Sequence, residues 1–195
     1  VSEAAWFETA KMDEPWAAEG IRAPFEKQVH PIISKTLVLP EAPVYARIYA
    51  VGLGVYELVL NGEKVGDEVL APFYNDYELW VQYQTYDVTA QLHAGENKLD
   101  AWLGNGWYKG RFGFIEHLAE LYGDEMKLLL EMHVGMPDGS EIVIGTDGTW
   151  NCIPSPVLES SICSDIVISI IFKCKLFNSD TVISLFNGNI INHKL

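Results

Sequence analysis

The sequence predicts an all-β protein, an antiparallel β-sandwich of jelly-roll type. Short β-prone segments recur along most of the chain, turns rich in Gly, Pro and Asn-Gly separate them, and hardly any stretch has a helical period. An apolar share of 49% in 195 residues is ample for a buried core. We therefore expect one sandwich domain, alone or with an appended segment.

Changes in composition divide the chain into three parts. Residues 1–24 show no sustained period and are predicted to form a lead-in segment whose aromatic side chains anchor onto the sandwich. Residues 25–162 carry the strand pattern of the sandwich itself. Residues 163–195 are rich in Ile and Asn and contain no Trp, Tyr or Pro. We interpret this divergent tail either as out-of-frame read-through or as the source of one added strand over residues 166–176.

The predicted strands follow one another from residue 25 onward. They cover residues 25–29, 34–39, 45–49, 56–60, 81–87, 98–103, 126–134 and 141–145. Pro31 and Pro40 end the first two, because proline donates no ladder hydrogen bond. Asn61-Gly62 predicts a type I′ hairpin turn, since both central residues of that turn need positive φ. Residues 137–140 predict a second hairpin turn, and Trp150 is expected to cap the core.

Residues 103–114, LGNGWYKGRFGF, hold four glycines, four aromatic rings and two cations in twelve positions. Glycines let the backbone approach a neighbour closely. A sugar suits this chemistry, because its C–H groups can lie on Trp107 or Tyr108 while Asn105 or Arg111 bonds its hydroxyls. The alternative is a bulged strand whose aromatic rings fill a β-core and whose glycines relieve crowding.

Residues 72–77, PFYNDY, form a predicted loop rich in aromatic side chains. Asn75 and Asp76 offer hard oxygen ligands beside aromatic faces, which is what a calcium-assisted sugar site needs. The alternative is an ordinary turn in which these side chains bond their own backbone.

Four blocks of sequence, in order, resemble the N-terminal non-catalytic β-sandwich domain of bacterial α-L-rhamnosidases (glycoside hydrolase family 78). The blocks are WFETA at residues 6–10, YELxLNGxxVGD at 56–67, QYQTYDVT at 82–89 and LGNGWYxGRxGF at 103–114. The resemblance covers roughly residues 6–161. It implies an accessory domain that contributes to rhamnoside recognition without catalysis, and whose partners are a rhamnose-containing saccharide and the neighbouring domains of a parent enzyme.

The resemblance also bears on the site residues and on the alternatives. Some domains of the family bind rhamnose with calcium held by acidic or amide side chains in such loops, which implies Asp76 as the stronger candidate ligand and Asn75 as the weaker. A purely structural domain that packs on a catalytic barrel is the alternative. A small free-standing glycosidase is disfavoured, because hydrolysis needs two carboxylates about 5 to 9.5 Å apart, and the cluster around His117 and Glu120 shows no such pair.

Charge and cysteine content restrict the other function classes. A net charge of −14 argues against a nucleic-acid partner, which needs a basic surface, and against an anionic membrane. Three cysteines, all after residue 150, make no disulfide framework and have no zinc-ligand spacing. Reduced thiols favour the cytoplasm slightly, while a cysteine-free sandwich is also compatible with secretion. No leader peptide is recognisable at Val1, so we expect any signal peptide to be absent or removed.

Overall fold

The computed structural model describes residues 11–110, 119–158, 160, 188–189 and 191–192. Within them, all paired strands are antiparallel and form two sheets. The strands are β1 Ile21–Arg22, β2 Pro31–Leu39, β3 Tyr45–Leu53, β4 Val55–Leu60, β5 Glu63–Lys64, β6 Gln84–Asp87, β7 Gly95–Gly104, β8 Lys127–Gly135, β9 Glu141–Gly145, β10 Asn151–Pro154, β11 Gly188–Asn189 and β12 Ile191–Asn192. A helical turn, α1 Gly106–Lys109, and a 3-10 helix, Thr89–Gln91, complete the described elements.

The first sheet has the order β12-β1-β8-β3-β6, with β9 also paired to β8. The second sheet has the order β11-β10-β2-β7-β4-β5. The predicted all-β antiparallel sandwich is confirmed, and its jelly-roll type stays a prediction. None of the described helices has the length and apolarity to cross a membrane.

The core lies between the inward faces of the two sheets. In β7 the side chains of Leu99, Ala101 and Leu103 are buried while those between them are not, which is the period of two expected for a strand with one face in the core. Strand β8 differs, because nearly all its residues are buried. Residues 11–19 cover its outer face. The Ala17 amide there donates a hydrogen bond to the Glu131 carboxylate of β8 at 2.6 Å.

Two hairpins have the turns that the sequence predicts. Asn61 and Gly62 take φ of 54° and 83° between β4 and β5, as a type I′ turn requires. The second hairpin joins β8 to β9 through residues 136–140, with Gly135 paired to Glu141. Trp150 is buried and donates from Nε1 to the Gly145 carbonyl at 2.9 Å, in keeping with a core cap.

The strand predicted over residues 25–29 is wrong. These residues form turns instead, and the Val29 amide donates to the Glu26 carbonyl at 2.9 Å. The strand predicted from residue 34 begins earlier, at Pro31, which pairs with Pro154 at the end of the ladder. Proline is tolerated at the first residue of a strand because a missing donor there breaks little of the ladder.

The ends of the chain contribute paired backbone. Ile21 is fully buried and pairs with Leu128 of β8, so the first sheet includes residues upstream of residue 25. At the other end, the backbone of β11 pairs with β10 and that of β12 with β1. The strand predicted over residues 166–176 lies outside the described residues.

Cys152 of β10 is the one cysteine within the described residues, and its side chain is only 1% exposed. Burial raises the pKa of this thiol to about 11. The group is therefore an unreactive part of the core at neutral pH.

Candidate functional site

The glycine-rich stretch leaves the sheet at Gly104 and turns at once into α1. Gly106 has a φ of 56°, and a Cβ there would lie 2.5 Å from the Val55 backbone nitrogen. Gly54 has a φ of 125° and packs equally closely on the Gly104 carbonyl. Glycine is required at both positions, because the turn before β4 passes directly against the backbone that carries α1. The bulged strand considered for residues 103–114 is wrong for the part of that stretch which the structure describes after β7, because α1 forms there.

Helix α1 presents Trp107 and Tyr108 to the loop over residues 72–77. The rings of Trp107 and Tyr74 meet edge to face with centroids 6.2 Å apart, and those of Tyr108 and Tyr77 at 5.2 Å. Tyr122 joins them, since its ring lies 5.0 Å from Tyr77 and its hydroxyl 3.1 Å from that of Tyr74. We call these five side chains the aromatic cluster. The two stretches that the sequence marks as candidate sites are thus direct neighbours.

Four polar atoms in or beside the aromatic cluster are buried and have no hydrogen-bond partner among the described residues. They are Oδ1 of Asn75, Oδ1 of Asn105, Nε1 of Trp107 and the hydroxyl of Tyr77. Asn75 is only 1% exposed and its Nδ2 donates to the Phe73 carbonyl at 2.9 Å, which fixes the orientation of the amide. Buried polar groups are nearly always paired. Unmet acceptors and a donor next to aromatic faces therefore suit a polar ligand.

Asp76 closes a turn. Its Oδ1 accepts a hydrogen bond from the Glu78 amide at 3.2 Å, and its carbonyl accepts from Leu79 and Trp80 at 3.0 and 3.1 Å. The carboxylate has acceptor capacity left, because each oxygen offers two lone pairs. Amide and carboxylate oxygens from Asn75, Asp76 and Asn105 fit calcium in kind, although that ion takes about six to eight oxygen ligands.

A separate group of potential metal ligands lies on the outer face of the first sheet. Glu14, Glu131 and His133 place ligand atoms within 4.8 Å of one another. The ammonium group of Lys11 already occupies this position, since it is hydrogen-bonded to Glu131 and lies 3.4 Å from a Glu14 oxygen. The group therefore attaches residues 11–19 to the sheet, and the Lys11 ammonium group supplies the positive charge that would otherwise come from a metal ion.

Two predicted residues lie outside the part of the chain that the structure describes. Arg111, a predicted hydroxyl contact, lies outside the described residues, as does His117. Two buried residues near Asn105 were missed: Ser160 accepts a hydrogen bond from the Asn105 amide at 2.8 Å, and His30 contacts the same Ser160 hydroxyl at 2.5 Å. Their separation of 130 residues leaves no local sequence signal.

The fold and the site together define a β-sandwich domain with an aromatic and polar surface built at the end of one sheet. Residues 41–165 match the family model described as alpha-L-rhamnosidase N-terminal domain. The chain belongs to this family, and the resemblance found in the sequence is confirmed.

Individual relatives agree with this assignment. The chain is 40% identical over 119 residues to an alpha-L-rhamnosidase of Streptomyces avermitilis, covering 61% of this chain and 11% of that protein. It is 34% identical over 161 residues to one from Formosa agariphila, covering 80% and 16% respectively. The chain thus spans between 11% and 16% of the length of the curated relatives it matches.

Solved structures of rhamnosidases have the same fold. The rhamnosidase of Aspergillus terreus superposes with a TM-score of 0.71 at 35% identity, covering 75% of this chain and 18% of that one. The Streptomyces avermitilis rhamnosidase, solved in complex with L-rhamnose, superposes with a TM-score of 0.65 at 36% identity, covering 68% and 13%.

Proposed function

We propose that this chain is an accessory domain of an α-L-rhamnosidase which contributes to recognition of a rhamnose-containing saccharide and has no catalysis of its own. The observation that carries the proposal is the aromatic cluster, where half-buried rings adjoin four buried polar atoms that have no partner among the described residues. Such a combination suits a sugar, which has apolar C–H faces and hydroxyl groups on one small molecule. The rhamnose complex of the Streptomyces avermitilis relative supports the choice of sugar.

Each predicted residue has a role in this proposal. Trp107 and Tyr108 stack on the C–H face of the ring, and Asn105 and Arg111 bond its hydroxyls. Asp76 contacts a hydroxyl or a calcium ion, for which Asn75 supplies a further oxygen. Calcium in this position would hold hydroxyl oxygens of the sugar, and Asn75 and Asp76 would hold the calcium.

The test is titration of the chain with L-rhamnose, with and without a chelator, by calorimetry. We expect saturable binding that Trp107→Ala weakens by at least about tenfold, the effect of losing about 1.4 kcal/mol. Trp102→Ala is the matched control, because Trp102 is a partly exposed indole on β7 outside the aromatic cluster. Circular dichroism checks that both variants keep the fold.

The outcomes separate the candidates. Absence of rhamnose binding, or equal loss in both tryptophan variants, contradicts the proposal. Binding that survives the chelator removes calcium from the proposal and keeps the sugar. Turnover of an aryl rhamnoside by this chain would contradict the proposed lack of catalysis.

A purely structural role is the second candidate, and one observation favours it. The loop between β5 and β6 exposes Leu79, Trp80 and Val81, with 79% of Leu79 accessible. Aliphatic side chains suit a protein surface better than a sugar. In a parent enzyme this loop would pack against a neighbouring domain, and Trp80→Ser would then lower the stability of the parent but leave rhamnose binding by the isolated chain unchanged.

A further inference from the structure

Three distant parts of the chain meet at a buried serine next to the start of α1. Ser160 follows β10, His30 precedes β2, and Asn105 follows β7. The Ser160 hydroxyl accepts a hydrogen bond from the Asn105 amide at 2.8 Å and lies 2.5 Å from Nε2 of His30. Ser160 is 5% and His30 3% exposed, so water has little access to these bonds.

The direction of the bonds follows from the donors. The Asn105 N–H donates to the Ser160 oxygen, which leaves the hydroxyl proton available to His30 Nε2 whenever that nitrogen carries no proton. Burial lowers the pKa of His30, and the positive charge of Lys109 on α1 lowers it further, against an opposing effect of the Val157 backbone. The ring is therefore neutral at pH 7.

The segment next to Asn105 is held from both sides. A Cβ on Gly104 would lie 3.0 Å from the Ser160 oxygen and 3.0 Å from a methyl group of Val55. Gly106 lies against the Val55 backbone. Residues 104–106 are thus confined between Val55 and Ser160, immediately before Trp107.

We propose that Ser160 and His30 are positioning residues for the candidate sugar site: the hydroxyl bridge from His30 through Ser160 to the Asn105 amide sets where the Asn105 side chain and the Trp107 indole lie. This inference rests on the proposed function for its effect on binding. Neither residue touches the sugar. Removing the bridge leaves the Asn105 amide unpaired and frees the start of α1 to move.

The experiment compares two buried hydroxyl bridges in the same chain. In Ser160→Ala the bridge to Asn105 is lost. The control is Thr146→Val, which removes a fully buried hydroxyl from the other sheet. That hydroxyl accepts a hydrogen bond from the Leu130 amide at 3.1 Å and donates one to the Glu19 carbonyl at 2.7 Å. Both variants lower the Tm, and we expect only Ser160→Ala to weaken rhamnose binding, by about tenfold.

A conservative variant separates positioning from packing. His30→Gln keeps an acceptor for the Ser160 proton, and its affinity for rhamnose should stay within about threefold of wild type at pH 7. Because burial and Lys109 lower the pKa of His30 from its ordinary value of 6.5, wild-type affinity should hold at pH 6.5 and fall only at lower pH, and His30→Gln should not show that fall. Equal affinities of wild type and Ser160→Ala would overturn the inference.

Failure of the proposed function is distinguishable from failure of this inference. If the wild-type chain binds no rhamnose, amide hydrogen exchange still tests the bridge. The Asn105 amide should exchange at least about tenfold faster in Ser160→Ala than in Thr146→Val, since its acceptor is lost only in the first. Equal exchange in the two variants would contradict the positioning role.

Discussion

Glu131, on β8, is a fully buried carboxylate with three donors. It accepts hydrogen bonds from the Ala17 amide at 2.6 Å, from His133 Nε2 at 2.7 Å and from the Lys11 ammonium group. The Lys11 nitrogen also lies 5.1 Å from the centroid of the Trp16 ring, which adds a cation–π contact. A buried charge of this kind stabilises only while its partners are in place.

Replacing Glu131 by Gln should destabilise the chain by about 3–5 kcal/mol, because the buried Lys11 charge then keeps only the exposed Glu14 as its counter-charge. The measurement is guanidinium unfolding at pH 7. Glu96→Gln is the matched control, since Glu96 is an exposed residue of β7 in the other sheet and its replacement should cost less than about 1 kcal/mol. Equal losses in the two variants would show that the Lys11 pair is not the cause.

The same carboxylate predicts a pH dependence. Burial works against its charge, but hydrogen bonds from Lys11, His133 and the Ala17 amide hold the pKa of Glu131 below its ordinary value of 4.5. A depressed acid pKa means that the stabilisation is complete above 4.5 and is lost as pH falls through the folded pKa. Stability measured from pH 7 to pH 3 should therefore fall less steeply in Glu131→Gln than in wild type. Parallel curves would contradict this assignment.

At the scale of elements, residues 11–19 act as an additional layer on the first sheet. The Glu19 amide donates to the Thr146 carbonyl at 2.7 Å, and a Cβ on Gly145 would lie 2.1 Å from the Ala17 carbonyl. This layer explains why β8 is buried on both faces. In most antiparallel sheets one face is exposed to solvent, whereas burial of both faces is usual in parallel sheets.

Gly145→Ala should therefore loosen this layer, with a cost of about 1–3 kcal/mol from overpacking. Limited proteolysis should cut within residues 11–19 faster in this variant than in wild type. Gly139→Ala is the control in the same hairpin: its φ of 84° makes alanine strained there, but nothing lies near the added Cβ. A similar rate of cutting in both variants would place the effect in the hairpin and not in the covering layer.

Elements were predictable where the signal is local. The strand predicted over residues 98–103 and the Asn61-Gly62 turn depend on neighbours in sequence, and both were found, the strand within β7. Asn61 also has a role that sequence does not indicate, because its Nδ2 donates to Asn97 Oδ1 and to the Gln91 carbonyl, both at 2.8 Å. Residues 25–29 were predicted as a strand from composition, yet no neighbouring strand pairs with them in the described part of the chain.

At the scale of the whole molecule, the acidic surface should have little influence on the proposed ligand. The net charge is −14, but rhamnose is neutral, so the Coulomb field neither attracts nor repels it. We expect the dissociation constant for L-rhamnose to change by less than about twofold up to about 1 M salt, where screening acts over about 3 Å. Calorimetry at saturating calcium measures this. A steep salt dependence would indicate a charged ligand instead.

The two stretches that form the candidate site were marked by the sequence, and their contact with each other was not. Trp107 and Asn75 were identified from composition and family resemblance, and the structure brings their two stretches together. The contacts of Lys11 with Glu131 and of His30 with Ser160 span 120 and 130 residues, respectively. Such pairs are created by the packing of the sheets, so neither periodicity nor spacing along the chain could indicate them.

The buried thiol of β10 offers a way to observe motion of this domain. Cys152 pairs through its backbone with Ile33 of β2, and its thiol is protonated at neutral pH. In a chain with Cys163 and Cys174 replaced by Ser, a thiol reagent can reach sulfur only when β10 separates from the sandwich. The rate of labelling would then measure how often β10 separates from the sheet, and no fluorophore needs to be attached.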